Sequence, residues 1–167
     1  VNPDKKLKAF RISQAIEIDG KLSEDAWTKA ERAFGFVQNE PIPGMPAMFD
    51  TETYFLYDNN AVYIGARMKD PESNKILKEL SLRDQTGNAD NFTVFFDTYK
   101  SGLNGFLFVV TASGVQFDAV VTNNDEDVNW NAIWESSVSQ DADGWYVEIK
   151  IPYSSLRFPA QDVQDWH

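Results

Sequence analysis

The dominant pattern along the chain is two-residue alternation interrupted by turn chemistry. Thr51–Tyr57 reads TETYFLY, Asp58-Asn59-Asn60 is turn-forming, and residues 61–68 (AVYIGARM) resume the β pattern, which predicts a hairpin. In its second arm Val62, Ile64 and Ala66 share one face, and Tyr63 and Arg67 the other. Three further β runs follow at 92–99 (FTVFFDTY), 105–111 (GFLFVVT) and 115–122 (VQFDAVVT), separated by Gly102 and Gly114. Residues 133–138 form a short strand, and Asp141-Ala142-Asp143-Gly144 is a hairpin turn. Residues 145–151 then set Trp145, Val147, Ile149 and Ile151 against Tyr146, Glu148 and Lys150. Residues 8–18 hold one or two short strands, and Pro152 starts a single turn through Leu156.

Helical spacing occurs twice. After the turn at Asp19-Gly20, Ser23 serves as N-cap of a helix over 24–31, with Glu24 and Asp25 in its first turn and Trp27 pointing into the core. Asp70-Pro71 predicts a second helix start, with Ile76, Leu77 and Leu80 as its apolar stripe. Residues 37–50, 83–90 and 123–131 read as loops. About eight to ten short strands at this spacing predict an all-β fold: an antiparallel β-sandwich, immunoglobulin-like or jelly-roll-like, with one or two short helices. Two inward-facing sheets also account for an aromatic content of 14%. The length of 167 residues, without internal repeats, fits one domain over 1–167. A start on Val rather than Met marks it as a piece excised from a longer chain.

Composition narrows the chemistry. Fifteen Lys and Arg against 26 Asp and Glu give a net charge of −11, which repels phosphate backbones and argues against a nucleic-acid partner. No apolar run approaches the ~18 residues of a membrane span, so direct membrane insertion by this domain is not expected. Cysteine is absent, and the one histidine is the last residue, His167. Thiolate nucleophiles, Cys-ligated metals, Ser-His-Asp chemistry and His-ligated haem are thus left without material. Carboxylate pairs remain, but 26 acidic residues produce such pairs by chance and nothing marks one for catalysis, so the chain reads as no enzyme.

Several residues are candidates for binding. Flat apolar faces and planar polar groups mark candidate ligand surfaces. Trp130 and Trp134 bracket Asn131 beside an acidic, amide-rich stretch, which makes residues 123–134 the favoured ligand edge; Trp134 reads equally as a core residue at a strand start. Arg83, Asp84 and Asp90 share one loop, either as a ligand or ion site or as an Arg–carboxylate pair that orders the loop. Gln116 and Asp118 share a strand face that either lines a polar groove with Asp97 or Asn104 or is simply solvated. Calcium takes about 6–8 oxygens, and Asn123-Asn124-Asp125-Glu126-Asp127 supplies several, with Asp125 and Asp127 as candidate ligands; the alternative is a solvated acidic loop. Trp27 and Trp145 sit on apolar faces and are expected in the core.

Four stretches, in order, resemble the family 9 carbohydrate-binding modules: residues 18–27 (IDGKLSEDAW), 53–65 (TYFLYDNNAVYIG), 90–97 (DNFTVFFD) and 143–152 (DGWYVEIKIP). Arg83-Asp84, residues 114–118 (GVQFD) and residues 154–159 (SSLRFP) resemble, more narrowly, the module at the N-terminus of large Bacteroidetes-type envelope proteins with a C-terminal domain of unknown function. The resemblance implies a β-sandwich that binds sugar, extracytoplasmic (periplasmic, outer-membrane-associated or secreted), with bound calcium in some members. It also implies a second partner, the C-terminal remainder of the same polypeptide. Trp134 matches a Trp that precedes the Asp-Gly-Trp hairpin in the family, whereas a second stacking Trp and an Arg on the strand at 105–111 have no counterpart. Two readings follow. One is a non-catalytic carbohydrate-binding module; the other is a structural or interaction sandwich without a retained sugar site.

Overall fold

A computed structural model describes residues 5–123 and 125–167. They form ten strands in two sheets, one short α-helix and two single 3₁₀ turns. The chain divides into two compact units, the first running to Lys75 and resuming over Ser136–Lys150, the second comprising Ile76–Glu135 and Ile151–His167.

The first unit carries the six-stranded sheet, ordered β1 (Phe10–Arg11), β3 (Thr51–Tyr57), β4 (Ala61–Lys69), β10 (Gly144–Pro152) and β9 (Glu135–Asp141), with β2 (Arg32–Ala33) also on β3. The predicted hairpin is β3–β4, in register from Thr51↔Met68 to Tyr57↔Val62. Its turn closes as the sequence suggests: Asn60 N–H and Ala61 N–H donate to Asp58 Oδ1 at 2.7 and 2.8 Å. Ala61 through Ala66 are all buried, because β4 lies inside the sheet and has both faces covered. One pairing departs from the antiparallel expectation: β1 runs parallel to β3, with Phe10 opposite Leu56.

The first helix is shorter than predicted. It spans Asp25–Lys29 (α1), and Glu24 rather than Ser23 occupies the cap, without a side-chain capping bond. Trp27 is 2% exposed, as expected of a core residue, and packs with Ile12, Ile16, Leu56, Ala61 and Tyr63. Gly65 makes this possible, because a Cβ there would stand 2.8 Å from the Trp27 ring and 2.6 Å from Leu22. Trp145 is likewise buried on β10.

The second predicted helix does not form. Asp70 Oδ1 accepts from Glu72 N–H at 2.7 Å and closes a local turn, leaving only the 3₁₀ turn Ser73–Lys75. The chain beyond it is extended, with an isolated bridge Lys78↔Ala89 and Asp90 N–H donating to the Leu77 carbonyl at 2.9 Å. Leu77 and Leu80 therefore face solvent, Leu80 at 81% exposure.

The second unit carries β5 (Asn91–Phe96), β6 (Asn104–Thr111), β7 (Gln116–Thr122) and β8 (Asp125–Asp127) in that order, all antiparallel. β8 is a strand where a loop was expected; Asn124 of that stretch lies outside the described residues, as do residues 1–4. In the same unit Trp166 packs on Phe96 and Phe158, with ring centroids 5.5 and 5.4 Å apart. Among the described residues, no helix is long and apolar enough to cross a membrane.

Candidate functional site

The second unit brings most of the predicted binding residues to one place, around Asp118. β7 sets Asp118 opposite Phe108 of β6, and Asp118 is 0% exposed. A bare carboxylate there would be costly, since a buried charge needs partners. Three groups supply them. Arg83 donates to Oδ2, Ala132 N–H donates to Oδ1 at 2.8 Å, and the Trp134 indole N–H donates to Oδ2 at 2.9 Å. Arg83 also donates to Gln116 Oε1, to the Ala132 carbonyl at 3.3 Å, and lies 3.8 Å from Asp84 Oδ2. Gln116 Nε2 in turn donates to the Trp134 carbonyl at 3.4 Å.

This geometry corrects three expectations. Asp118 is buried rather than solvated, Gln116 is half-buried, and Asp118 meets Arg83 rather than Asp97 or Asn104. Asp97 instead accepts from Tyr99 N–H and Gly102 N–H, while Asn104 Oδ1 accepts from Asn123 N–H at 3.1 Å. Trp134 takes the core alternative: it is 6% exposed and set edge-on to Phe108 at 5.3 Å, so its ring offers no open stacking face. Asp90 is turned to a backbone task, accepting from Leu77 N–H at 3.1 Å.

Trp130 is different. It is partly exposed and leans on Phe106 and Phe108 at 5.4 and 5.9 Å, beside the exposed Asn131. The two phenylalanines, at alternate positions of β6, were not singled out in the sequence; their i, i+2 spacing in GFLFVVT was the available signal. The Arg83 side chain is itself over a third exposed, so it can brace Asp118 and still present N–H groups outward.

The calcium candidates lie on an exposed strand beside Asn124, which is outside the described residues. Asp125 and Asp127 are exposed on β8, and Asp127 Oδ1 is occupied by Asn129 N–H at 3.0 Å. Among the described residues no three of His, Cys, Asp or Glu converge to hold a metal, whereas calcium needs about 6–8 oxygens.

The first unit has its own buried carboxylate. Glu148 of β10 is 0% exposed and accepts from Asp19 and Gly20 N–H at 3.0 and 2.9 Å on Oε2, and from the Trp27 indole at 3.0 Å on Oε1. Burial pushes its carboxyl up, the N–H groups of Gly20 and Asp19 pull it down, and the charges of Glu24 and Asp19 raise it again, to about 7. Gly20, at φ 84°, lies so close to the backbone of Val138 that a Cβ would approach it to 2.7 Å. A cavity of about 180 Å³ nearby is lined by Glu52, Tyr54, Arg67 and Tyr146 among others. Of its polar groups, Tyr54 donates to Glu52, Tyr146 donates to Asp141 outside the lining, and the Arg67 guanidinium lies over the Tyr146 ring at 5.4 Å with its Nε buried and without a hydrogen-bond partner.

Two sheets and few short helices make this a β-sandwich. The chain belongs to the family described as "Carbohydrate family 9 binding domain-like", which it matches over residues 18–164. Modules of this family are non-catalytic binding domains. Among solved structures, a family 9 carbohydrate-binding module from Caldicellulosiruptor kristjanssonii in complex with glucose is similar at a TM-score of 0.61 and 18% identity, over 93% of this chain and 73% of that one. A family 9 module from the same organism, in complex with cellotriose, is similar at 0.60 and 18%, over 87% and 67%. This likeness fixes the fold as the expected β-sandwich. No curated protein matches the chain.

Proposed function

We propose that this chain is a non-catalytic sugar-binding module and that its ligand edge is the surface of Trp130 and Asn131 with Arg83 and Gln116 behind it. The family match over residues 18–164 carries the reading. The local chemistry supports it: Trp130 offers a partly exposed aromatic ring backed by Phe106 and Phe108, the next residue is the exposed Asn131, and the partly exposed Arg83 and Gln116 supply guanidinium and amide groups of the kind that meet vicinal hydroxyls. Asp118 and Asp84 act behind this edge by holding Arg83, and Trp134 by holding Asp118. The proposal takes the domain as an extracytoplasmic part of a larger bacterial envelope protein. It requires no ion, so EDTA is expected to leave binding unchanged.

Calorimetric titration with glucose and with cellotriose, the ligands held by the similar modules, tests this directly. Binding is expected, and Trp130→Ala is expected to weaken it about tenfold, equivalent to about 1.4 kcal/mol, with the melting temperature unchanged. Folded protein that is silent toward both sugars and toward a broad glycan array sinks the reading. In that case the interaction-domain alternative gains, and one observation favours it: residues 34–49 expose Phe34, Phe36, Val37, Ile42, Met45 and Met48 in a single stretch of chain.

A further inference from the structure

A groove of about 360 Å³ opens on the first unit, lined by Lys8, Phe10 and Arg11 at β1, Lys29 and Glu31 at the end of α1, and Tyr57 at the end of β3. It is distinct from the Trp130 surface and does not depend on it. Its volume is at the lower end of ligand pockets, which run from ~300 to ~1,000 Å³, so it suits a ligand of one ring.

Its charge is opposite to that of the molecule. Three cations and one carboxylate line it, 3 − 1 = +2, in a chain of net charge −11. Among the described residues Lys21, Arg32, Arg67, Lys69, Lys75, Arg83 and Lys100 are ion-paired. The groove's cations are not. Among the described residues the Lys8 and Lys29 ammonium groups have no internal partner, nor does the Tyr57 hydroxyl. Arg11 commits one N–H, to Asn59 Oδ1 at 2.7 Å, which fixes the guanidinium and leaves its other donors unspent. Glu31 Oε2 accepts from the Lys8 backbone N–H at 2.9 Å and so ties the two rims together. Phe10, 36% exposed, adds an aromatic face.

We infer that this groove binds an anionic sugar: a single pyranose ring bearing a carboxylate, its charge between Lys8, Arg11 and Lys29 and its apolar side against Phe10 and Tyr57. The cations supply charge-assisted donors, the aromatic rings supply the stacking face, and neither alone selects such a ligand. A neutral sugar leaves the cations unused, and an inorganic anion leaves the rings unused.

Amide NMR spectra of the chain, titrated at constant ionic strength with D-glucuronate, D-glucose and inorganic phosphate, decide the matter. Glucuronate is expected to shift the amides of Phe10, Arg11 and Lys29 saturably, glucose to leave them in place, and phosphate to act at least about tenfold more weakly. Lys8→Gln with Lys29→Gln, both exposed positions, is expected to weaken glucuronate about tenfold, while Lys21→Gln, outside the groove, does not. The inference is overturned by an absence of saturable shifts, by equal response to glucose, by phosphate matching glucuronate, or by an unaffected double variant. Cellotriose binding is read in a separate titration, so failure here and failure of the Trp130 site are told apart.

Discussion

Each unit has a carboxylate with no solvent exposure, and each of these two accepts from an indole N–H and from backbone N–H of a distant part of the chain. Glu148 gathers Trp27, Asp19 and Gly20; Asp118 gathers Trp134 and Ala132. The difference is the cation. Asp118 has Arg83, whereas Glu148 has only N–H donors and two neighbouring acidic groups, and its carboxyl is pushed up to about 7. Dipoles alone organise the first knot; a full charge organises the second. Where the countercharge is present, its carrier, Arg83, reaches the surface, its side chain over a third exposed. The first unit has nothing comparable at Glu148, and its carboxylate is purely internal.

The largest effect is expected from removing that cation. Arg83→Met strands a fully buried charge, and breaking a buried pair costs ~3–5 kcal/mol; the partial exposure of Arg83 places the loss near 3 kcal/mol, read as a fall in the denaturant midpoint. The double variant Arg83→Met, Asp118→Asn is expected to recover part of it, and no recovery would break the comparison.

Next comes the pH response of Glu148. Its folded value lies above the ordinary 4.5, so the protonated form is favoured in the folded state. The stability it contributes is full below pH 4.5 and is lost as pH rises through about 7. A shift of that size corresponds to about 3 kcal/mol across the window. Glu148→Gln is expected to flatten this slope, and parallel stability–pH curves for the variant and the parent would contradict it.

Asp97 sharpens the contrast with an opposite sign. Burial raises its carboxyl, but the N–H groups of Gly102, Ser101 and Tyr99 outweigh that and hold it below its ordinary 3.8. Its contribution is present above pH 3.8 and lost as pH falls through the lower folded value. Asp97→Asn should cost about 1–2 kcal/mol at neutral pH, less at low pH. The smallest effect is reserved for Ser23→Ala, expected within about 0.5 kcal/mol because Ser23 caps nothing.

Elements whose signals are local were legible in the sequence. The β3–β4 hairpin follows from a run of β formers and one Asp that closes the turn, and Trp27 and Trp145 follow from apolar spacing. The 70–80 helix was misread because Asp70-Pro71 fits a turn as well as a cap, and leucines at helical spacing look alike whether buried or, as here, exposed. Asp118 was a candidate in the right neighbourhood with the wrong surroundings. A carboxylate on a strand reads as solvated, and its burial depends on Arg83, 35 residues earlier, and on Trp134, 16 residues later. Nothing local signals such a pairing. Trp134 kept its two readings open for the same reason, since only Asp118 satisfies its N–H inside the core.

The bonds between Glu148 and the turn at Asp19-Gly20 join residues 128 and 129 positions apart, and the first unit is discontinuous in sequence. During synthesis the opening segment, with Trp27, leaves the ribosome long before Ser136–Lys150 exists to complete its sheet. The intervening Ile76–Glu135 also waits for Ile151–His167. The first unit is complete only at Lys150 and the second only at His167, so both depend on residues 136–167, and ordering is expected to come late in each. A nonsense mutation or proteolytic cut shortly before residue 136 would therefore deprive both units of their closing segments, leaving an aggregation-prone fragment in place of one sound half.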